Sequence, residues 1–187
     1  LKSEEDSIFK LIYDKEGSLY YAVPFLLSGE DKLFICLSSQ IGCPEKCSFC
    51  ATWDKSFKQN LSKDDIKNQI MTSIEKTDFF WKKETISLRF EWMWEATYNL
   101  ENILNWLDEI KTELLHKFKN IEVSISTAWN NTKWLSQFID KIKILKNMGI
   151  IIKIQISIHT LFDDDIINWK EINDELFKNK IWDIYEL

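Results

Sequence analysis

Thr85-Ile86-Ser87-Leu88-Arg89-Phe90, then the amphipathic run Leu100–Phe118, then Ile121-Glu122-Val123-Ser124-Ile125-Ser126, is the stretch that decides the fold class. Short β-type runs on either side of a long 3.6-period segment read as a strand–helix–strand unit, whose two strands lie parallel. The pattern continues toward the C-terminus. Thr132–Asn147 reads as a helix that stops at Gly149, Ile150–His159 as a strand apolar through most of its first half, and Asp163–Phe177 as a further helix. Toward the N-terminus, Ser62-Lys63-Asp64-Asp65 offers a helix cap with an acidic first turn, ahead of a helix over Asp64–Glu75. Lys32–Ser38 is a strand before it. Ile8–Tyr13 and Leu19–Leu27, with Asp14-Lys15-Glu16-Gly17 between them, read as a β-hairpin. Strands alternating with helices give an α/β chain with a parallel sheet. Four βα-type strands are too few to close a barrel. The expected fold is a partial (β/α) barrel preceded by a β-hairpin, with residues 1–31 as the hairpin region and 32–187 as the core.

Composition bounds the function. The chain has 187 residues, 45% hydrophobic and 29% charged, which is enough apolar material for one core. There is no uninterrupted apolar run of about 18 residues, so no membrane span is expected, and the acidic start Leu1-Lys2-Ser3-Glu4-Glu5-Asp6 is unlike a signal peptide. The absence of a starting Met and the plain end at Tyr185-Glu186-Leu187 read as a C-terminally truncated piece of a longer protein. A formal charge of −6 counts against a nucleic-acid partner, since phosphate binding favours basic surfaces.

All four cysteines fall between positions 36 and 50. Disulfide scaffolds spread their cysteines, so this crowding points to a metal site in a reducing compartment. The stretch Cys43-Pro44-Glu45-Lys46-Cys47-Ser48-Phe49-Cys50 has the spacing C-x3-C-x2-C. Three thiolates on one loop can each hold one iron of a [4Fe–4S] cluster and leave the fourth iron open. An open iron suits the amino and carboxylate groups of S-adenosylmethionine (SAM), whose reductive cleavage yields a 5′-deoxyadenosyl radical. The alternative is a zinc site completed by a distant ligand such as His116 or His159, although zinc sites usually show paired C-x2-C units.

The surroundings of the motif resemble the radical SAM adenine methyltransferases, which act at C2 of an adenine in large-subunit ribosomal RNA and in some transfer RNAs. Leu33–Cys43 resembles that family's approach to its cluster. Cys50-Ala51-Thr52-Trp53 through Phe57-Lys58-Gln59-Asn60-Leu61 is similar to FCATG…F-x-x-N-L, and Phe90–Asn102 to F-M-G-M-G-E-P-L-x-N-x-x-N. Ser124–Trp129 is similar to the S-T-S-G segment, and Ile156-Ser157-Ile158-His159 to S-L-H. The resemblance implies that Cys43, Cys47 and Cys50 bind the cluster. It implies that Trp94 and Glu95, Ser126, and the strand end Ser157, Ile158 and His159 contact SAM. By residue type alone, Ser126, Ser157 and His159 read rather as ordinary strand-end capping. Cys36 would help release a covalent enzyme–RNA intermediate, although a lone strand cysteine is also an ordinary small core residue. The family's methyl-carrying cysteine would lie beyond the C-terminal end of this chain.

The pattern breaks in one direction. Trp53, Trp92, Trp94 and Trp129 stand where the family has glycine, and the family's glutamate base before Cys36 appears as Tyr21. The chain holds 4 glycines and 9 tryptophans, 13 between them, against roughly 13 glycines expected at average usage. An indole at 92 or 94 would fill space that glycine leaves for SAM. Either the SAM cleft has been lost, or the source reads UGA as glycine and the tryptophans are artefacts of translation. The second accounts for the counts and the positions together. Trp134 and Trp169 fit the same reading, whereas Trp81, Trp106 and Trp182 read equally as genuine core or surface aromatics.

The resemblance therefore implies a cytoplasmic radical SAM methyltransferase acting on ribosomal or transfer RNA, with an electron donor such as flavodoxin. The alternatives are a C8 adenine methyltransferase, and a non-catalytic iron–sulfur or zinc module with a dead SAM cleft. A radical enzyme that activates another protein would suit the acidic charge, but leaves Cys36 without a role.

Overall fold

The structure is a computed structural model that describes residues 2–3, 8–45, 50, 56–77, 83–91, 95–127 and 135–156. Ten strands, three α-helices and a short 3₁₀ turn occur among them. The central parallel strands are β5 (Lys32–Leu37), β8 (Thr85–Phe90), β9 (Asn120–Thr127) and β10 (Ile150–Ile156), hydrogen-bonded in that order. Helices α1 (Lys63–Thr77), α2 (Leu100–Lys117) and α3 (Leu135–Asn147) make the three crossovers between them. These are the βα units expected from the alternating pattern, within one or two residues at most ends. Only the first seven residues of the expected strand Ile150–His159 are described, and Asp163–Phe177 lies outside the described residues.

The N-terminal hairpin extends the same sheet. β4 (Ser18–Phe25) runs antiparallel to β5, and β2 (Ile8–Phe9) and β3 (Leu11–Lys15) lie end to end along its other edge in one register. β1 (Lys2–Ser3) pairs with β2. The expected first strand, Ile8–Tyr13, is thus interrupted at Lys10. Gly17 closes the turn with φ +74°, a conformation that costs glycine little.

Alternation along the strands sets two faces. Leu33, Ile35, Leu37, Ile86, Leu88, Phe90, Ile121, Val123 and Ile125 all belong to one buried apolar core. They meet Ile66, Ile70 and Ile74 of α1 and Ile103, Trp106, Leu107, Ile110 and Leu114 of α2, which recur at helical spacing. Ser62 caps α1 as its sequence suggests: the Asp65 amide donates to its hydroxyl at 3.2 Å, and the Ser62 amide donates to the Asp65 carboxylate at 2.9 Å.

The other face carries Phe34 and Cys36 of β5, Ser87 and Arg89 of β8, Glu122, Ser124 and Ser126 of β9, and Lys153 and Gln155 of β10. No described helix packs on it, and in a (β/α) barrel this face is the interior.

Candidate functional site

β5 delivers the chain to the cysteine loop, and buried amides hold the exit. The Ser38 amide donates to Gln69 Oε1 at 3.0 Å, and Gln69 Nε2 donates back to the Ser38 carbonyl at 3.0 Å. A helix side chain thus pairs with the backbone much as a neighbouring strand would. Just beyond, β6 (Gln40–Ile41) pairs antiparallel with β7 (Gln59–Asn60), and Cys43 bridges Ser56. This ribbon closes the neck of the loop carrying Cys43, Cys47 and Cys50. Nothing in the local pattern signals two-residue strands. Gly42 sits in the neck with φ +75°, and a Cβ there would lie 2.0 Å from the Ser56 carbonyl oxygen. Only glycine fits.

The asparagines of the family-like motifs bind this neck to the rest of the fold. Asn99 Nδ2 donates to the carbonyls of Ser39 (2.6 Å) and Leu61 (2.7 Å). Asn102 donates to Asn99 Oδ1 at 2.8 Å, and Asn60 donates to the Tyr98 carbonyl at 2.9 Å. Tyr98 in turn donates its hydroxyl to Glu45, inside the cysteine loop, at 2.6 Å. A polar residue on an amphipathic helix ordinarily reads as surface, which is why the burial of Gln69 escapes sequence reasoning; Asn99, in the 3₁₀ turn, lies in a family-like motif but has no periodicity to signal its burial. In the structure both are buried and paired.

Of the three expected cluster ligands, Cys43 and Cys50 are half-buried, and Cys47 lies outside the described residues. Among the described residues no group of three or more metal-binding side chains assembles. Burial pushes the Cys43 thiol up, as do the nearby charges of Glu45 and Glu95, while backbone hydrogen bonds from those two residues oppose the shift. Half-buried thiols on a closed loop with backbone donors beside one of them suit thiolate ligation. His116, the nearer alternative for a zinc site, is exposed in the last turn of α2, which leads into the start of β9 at the opposite end of the strands.

Glu95 is buried and caps the 3₁₀ turn Ala96–Asn99, accepting from the Thr97 amide at 3.3 Å and also from the Thr97 hydroxyl. Its backbone reaches Cys43, and the turn it caps packs against β9. Ser126, near the end of β9, donates to Gln155 of β10 at 3.0 Å. The structure therefore gathers Cys43, Glu95 and Ser126 at the C-terminal ends of adjacent strands, where (β/α) barrels place their chemistry. Trp94, Ser157, Ile158 and His159 lie outside the described residues, as do Trp53, Trp92 and Trp129. Trp106 is described: its indole is buried in the core between α2 and the sheet.

This arrangement matches one large family across most of its length. The model of the radical SAM superfamily covers residues 37–186. The chain belongs to that superfamily. Its sequence is 32% identical, over 136 residues, to the "Probable dual-specificity RNA methyltransferase RlmN" of Chlorobaculum tepidum, covering 72% of this chain and 34% of that protein. The corresponding protein of Thermosipho melanesiensis is 30% identical over 86% of this chain and 44% of its own length. The "Dual-specificity RNA methyltransferase RlmN" of Francisella tularensis is 30% identical over 68% and 35%. The chain thus spans less than half the length of these relatives. Its fold is similar to that of a radical SAM methyltransferase from Sphaerobacter thermophilus, with a TM-score of 0.66 at 20% identity, over 88% of this chain and 45% of that one. The radical SAM domain starts on β5, and β1 to β4 are joined to it through the β4–β5 pairing.

Cys36, one residue before the matched range, lies on the helix-free face, opposite Val23 of β4 and Arg89 of β8. Burial pushes its thiol up to about 11; the charge of Glu91 adds to the shift and Arg89 opposes it. Tyr21, at the place of the family glutamate, donates its amide to Ser38 Oγ at 3.0 Å, and its ring lies under the Lys10 ammonium at 4.1 Å. The carboxylate that the structure does bring near Cys36 is that of Glu91.

Proposed function

We propose that the full protein is a radical SAM methyltransferase acting at C2 of an adenine in large-subunit ribosomal RNA, transfer RNA, or both. Residues 1–31 form its N-terminal hairpin region, and the radical SAM core begins at residue 32. The single observation that carries the reading is the backbone contact of Cys43 with Glu95, whose 3₁₀ turn packs against β9, on a chain matched by RNA methyltransferases. Cys43, Cys47 and Cys50 hold a [4Fe–4S] cluster. Loaded with that cluster and SAM, and with an electron donor such as flavodoxin, the site would supply radical chemistry. Glu95, Trp94 (or the glycine it stands for), Ser126 and the strand end Ser157–His159 contact SAM. Cys36, protonated near neutral pH because of its burial, assists release of the RNA adduct. The reaction runs in the cytoplasm; among the described residues no helix is long and apolar enough to cross a membrane.

The direct test is anaerobic reconstitution of the full-length protein with iron, sulfide, a reductant and SAM, followed by mass spectrometry. 5′-Deoxyadenosine together with 2-methyladenosine in ribosomal or transfer RNA supports the reading; 8-methyladenosine moves it to the C8 relative. Cluster binding with no 5′-deoxyadenosine leaves a non-catalytic module. The tryptophans favour that last outcome only if the codons for Trp53, Trp92, Trp94 and Trp129 are UGG. UGA codons there would make these positions glycine and leave room for SAM.

A further inference from the structure

On the helix-free face, one row of side chains runs Cys36, Arg89, Ser124, Lys153 across four strands. Arg89 is held on two sides. Its Nη1 donates to Glu91 Oε2 at 3.2 Å, and its guanidinium carbon lies 4.8 Å over the Phe34 ring. What remains is unusual. Arg89 Nε, Glu91 Oε1 and Ser124 Oγ are all buried with no hydrogen-bond partner among the described residues. Ser124 is only 3% exposed and the Glu91 side chain only 6%. Native proteins leave few buried polar groups unmet, because each has given up its water for nothing. Three on neighbouring side chains, beside Cys36, call for a ligand.

Their polarity says which kind. Arg89 Nε offers a donor, Glu91 Oε1 an acceptor, and the Ser124 hydroxyl either. A phosphate needs donors and would meet the bare Glu91 oxygen. A metal ion needs acceptors and would meet Arg89. An apolar group would satisfy none of the three. A planar edge with a donor beside an acceptor satisfies them together, and adenine presents one in its exocyclic amine next to a ring nitrogen. We propose that Arg89, Glu91 and Ser124 form a subsite for the edge of an adenine ring. The amine donates to Glu91 Oε1, the neighbouring ring nitrogen accepts from Arg89 Nε, and the Ser124 hydroxyl takes the remaining valence. Arg89 is oriented for this by Glu91 and Phe34. The assignment of adenine rests on the methyltransferase reading above. Both the RNA target and SAM carry that ring.

Two arms separate the sources, using the full-length reconstituted protein. The first measures by fluorescence anisotropy its affinity for the RNA hairpin that bears the methylated adenine, and for the same hairpin with purine there, which lacks the amine. The expected preference for adenine is roughly 10-fold, falling to near unity in Glu91→Met and Arg89→Met with SAM affinity unchanged. The second arm measures SAM affinity by equilibrium dialysis. A loss of roughly 10-fold in those variants, with the adenine preference intact, assigns the subsite to the ring of SAM. A wild-type protein that binds adenine and purine hairpins alike, with variants that bind SAM like the wild type, overturns the subsite. The adenine–purine comparison in the wild type needs no variant to fold. A protein that cleaves SAM but methylates no RNA ends the RNA reading before any variant is made, and the SAM arm then decides the subsite alone.

Discussion

The two faces of the β5-β8-β9-β10 sheet are made by alternate residues of the same strands, yet they obey different rules. On the helix-packed face every position of β5 and β8 is a large apolar side chain, as is every position of β9 before Thr127, and almost all of these are completely buried. On the opposite face Phe34 and Cys36 give way to Ser87, Arg89, Glu122 and Ser124, of which the two serines and Glu122 are also buried. Ser87, Glu122 and Ser124 are thus as buried as the apolar residues behind them, although the same face opens to solvent at Ile151, Lys153 and Gln155 of β10. One face is dry because dispersion and hydrophobic transfer favour it. The other encloses charges and hydroxyls at its centre, on Glu122, Ser87 and Ser124, which lose hydration there and must be compensated one by one. The first face explains why the chain folds. The second is where a ligand can supply what the protein lacks.

The largest test of the comparison lies on the helix side. Trp106 fills the space between α2 and the sheet, so Trp106→Ala should cost about 3–5 kcal/mol through lost burial and the cavity left behind. Trp106→Phe should cost less than about 1.5 kcal/mol, because the indole N–H has no partner among the described residues to lose. Urea midpoints of the two variants measure the difference. A tolerated alanine would mean that α2 does not seat on this residue, and would reopen whether position 106 is tryptophan at all.

The next effect separates the fold from the site. Gly42→Ala places a Cβ against the Ser56 backbone at a positive φ, a conformation that alone costs a β-carbon about 1–2 kcal/mol. The neck of the cysteine loop should open while the core on the other side of Ser38 persists. Circular dichroism is expected to keep its helical signal, and reconstitution is expected to lose most of its iron. Full iron content in Gly42→Ala would show that the neck does not position the loop.

How much of this the sequence discloses follows the same division. The apolar face announces itself, since Leu33-Ile35-Leu37 and Ile86-Leu88-Phe90 alternate at period two and Ile66-Ile70-Ile74 recur at helical spacing. Short-range spacing also exposes Cys43, Cys47 and Cys50. Polar residues between apolar ones ordinarily mean solvent, so Arg89, Glu122 and Ser124 read as an exposed face, and only the three-dimensional arrangement shows Glu122 and Ser124 buried and Arg89 half-buried. The β6–β7 ribbon is illegible for another reason. Two-residue strands have no periodicity, and their pairing is imposed by the amides of Gln69 and Asn99 arriving from α1 and the 3₁₀ turn.

A smaller effect sharpens how charge is tolerated on the helix-free face. Burial alone would push the Glu122 carboxyl up, but hydrogen bonds from Lys32 at 2.9 Å and Lys153 at 3.1 Å outweigh it and hold the group below its usual 4.5. A depressed carboxyl stabilises the fold above its unfolded value and loses that contribution as pH falls through the folded one. Glu122→Gln should therefore be less stable than the parent at pH 7 by about 1–3 kcal/mol. The gap should close on acidification from just above pH 4.5 downward. Urea midpoints taken at pH 7 and at successively lower pH read it; a gap that persists unchanged into strong acid would mean that the ion pairs contribute nothing.

The smallest expected effect is the most informative about the face itself. Ser124 is as buried as its apolar neighbours, but its hydroxyl meets no described partner. Removing a buried hydroxyl that makes a hydrogen bond costs about 1 kcal/mol, whereas removing one that makes none relieves a desolvation penalty. Ser124→Ala should thus leave the stability of the ligand-free protein within about 0.5 kcal/mol of the parent, or raise it. The same substitution in the loaded protein should weaken whatever occupies the subsite. Thermal melts with and without SAM, and with and without the RNA hairpin, separate the two. If Ser124→Ala destabilises the empty protein by as much as Glu122→Gln does, then the hydroxyl already has a partner within the chain. The polar face would then be a satisfied interior, built by the same accounting as the apolar one.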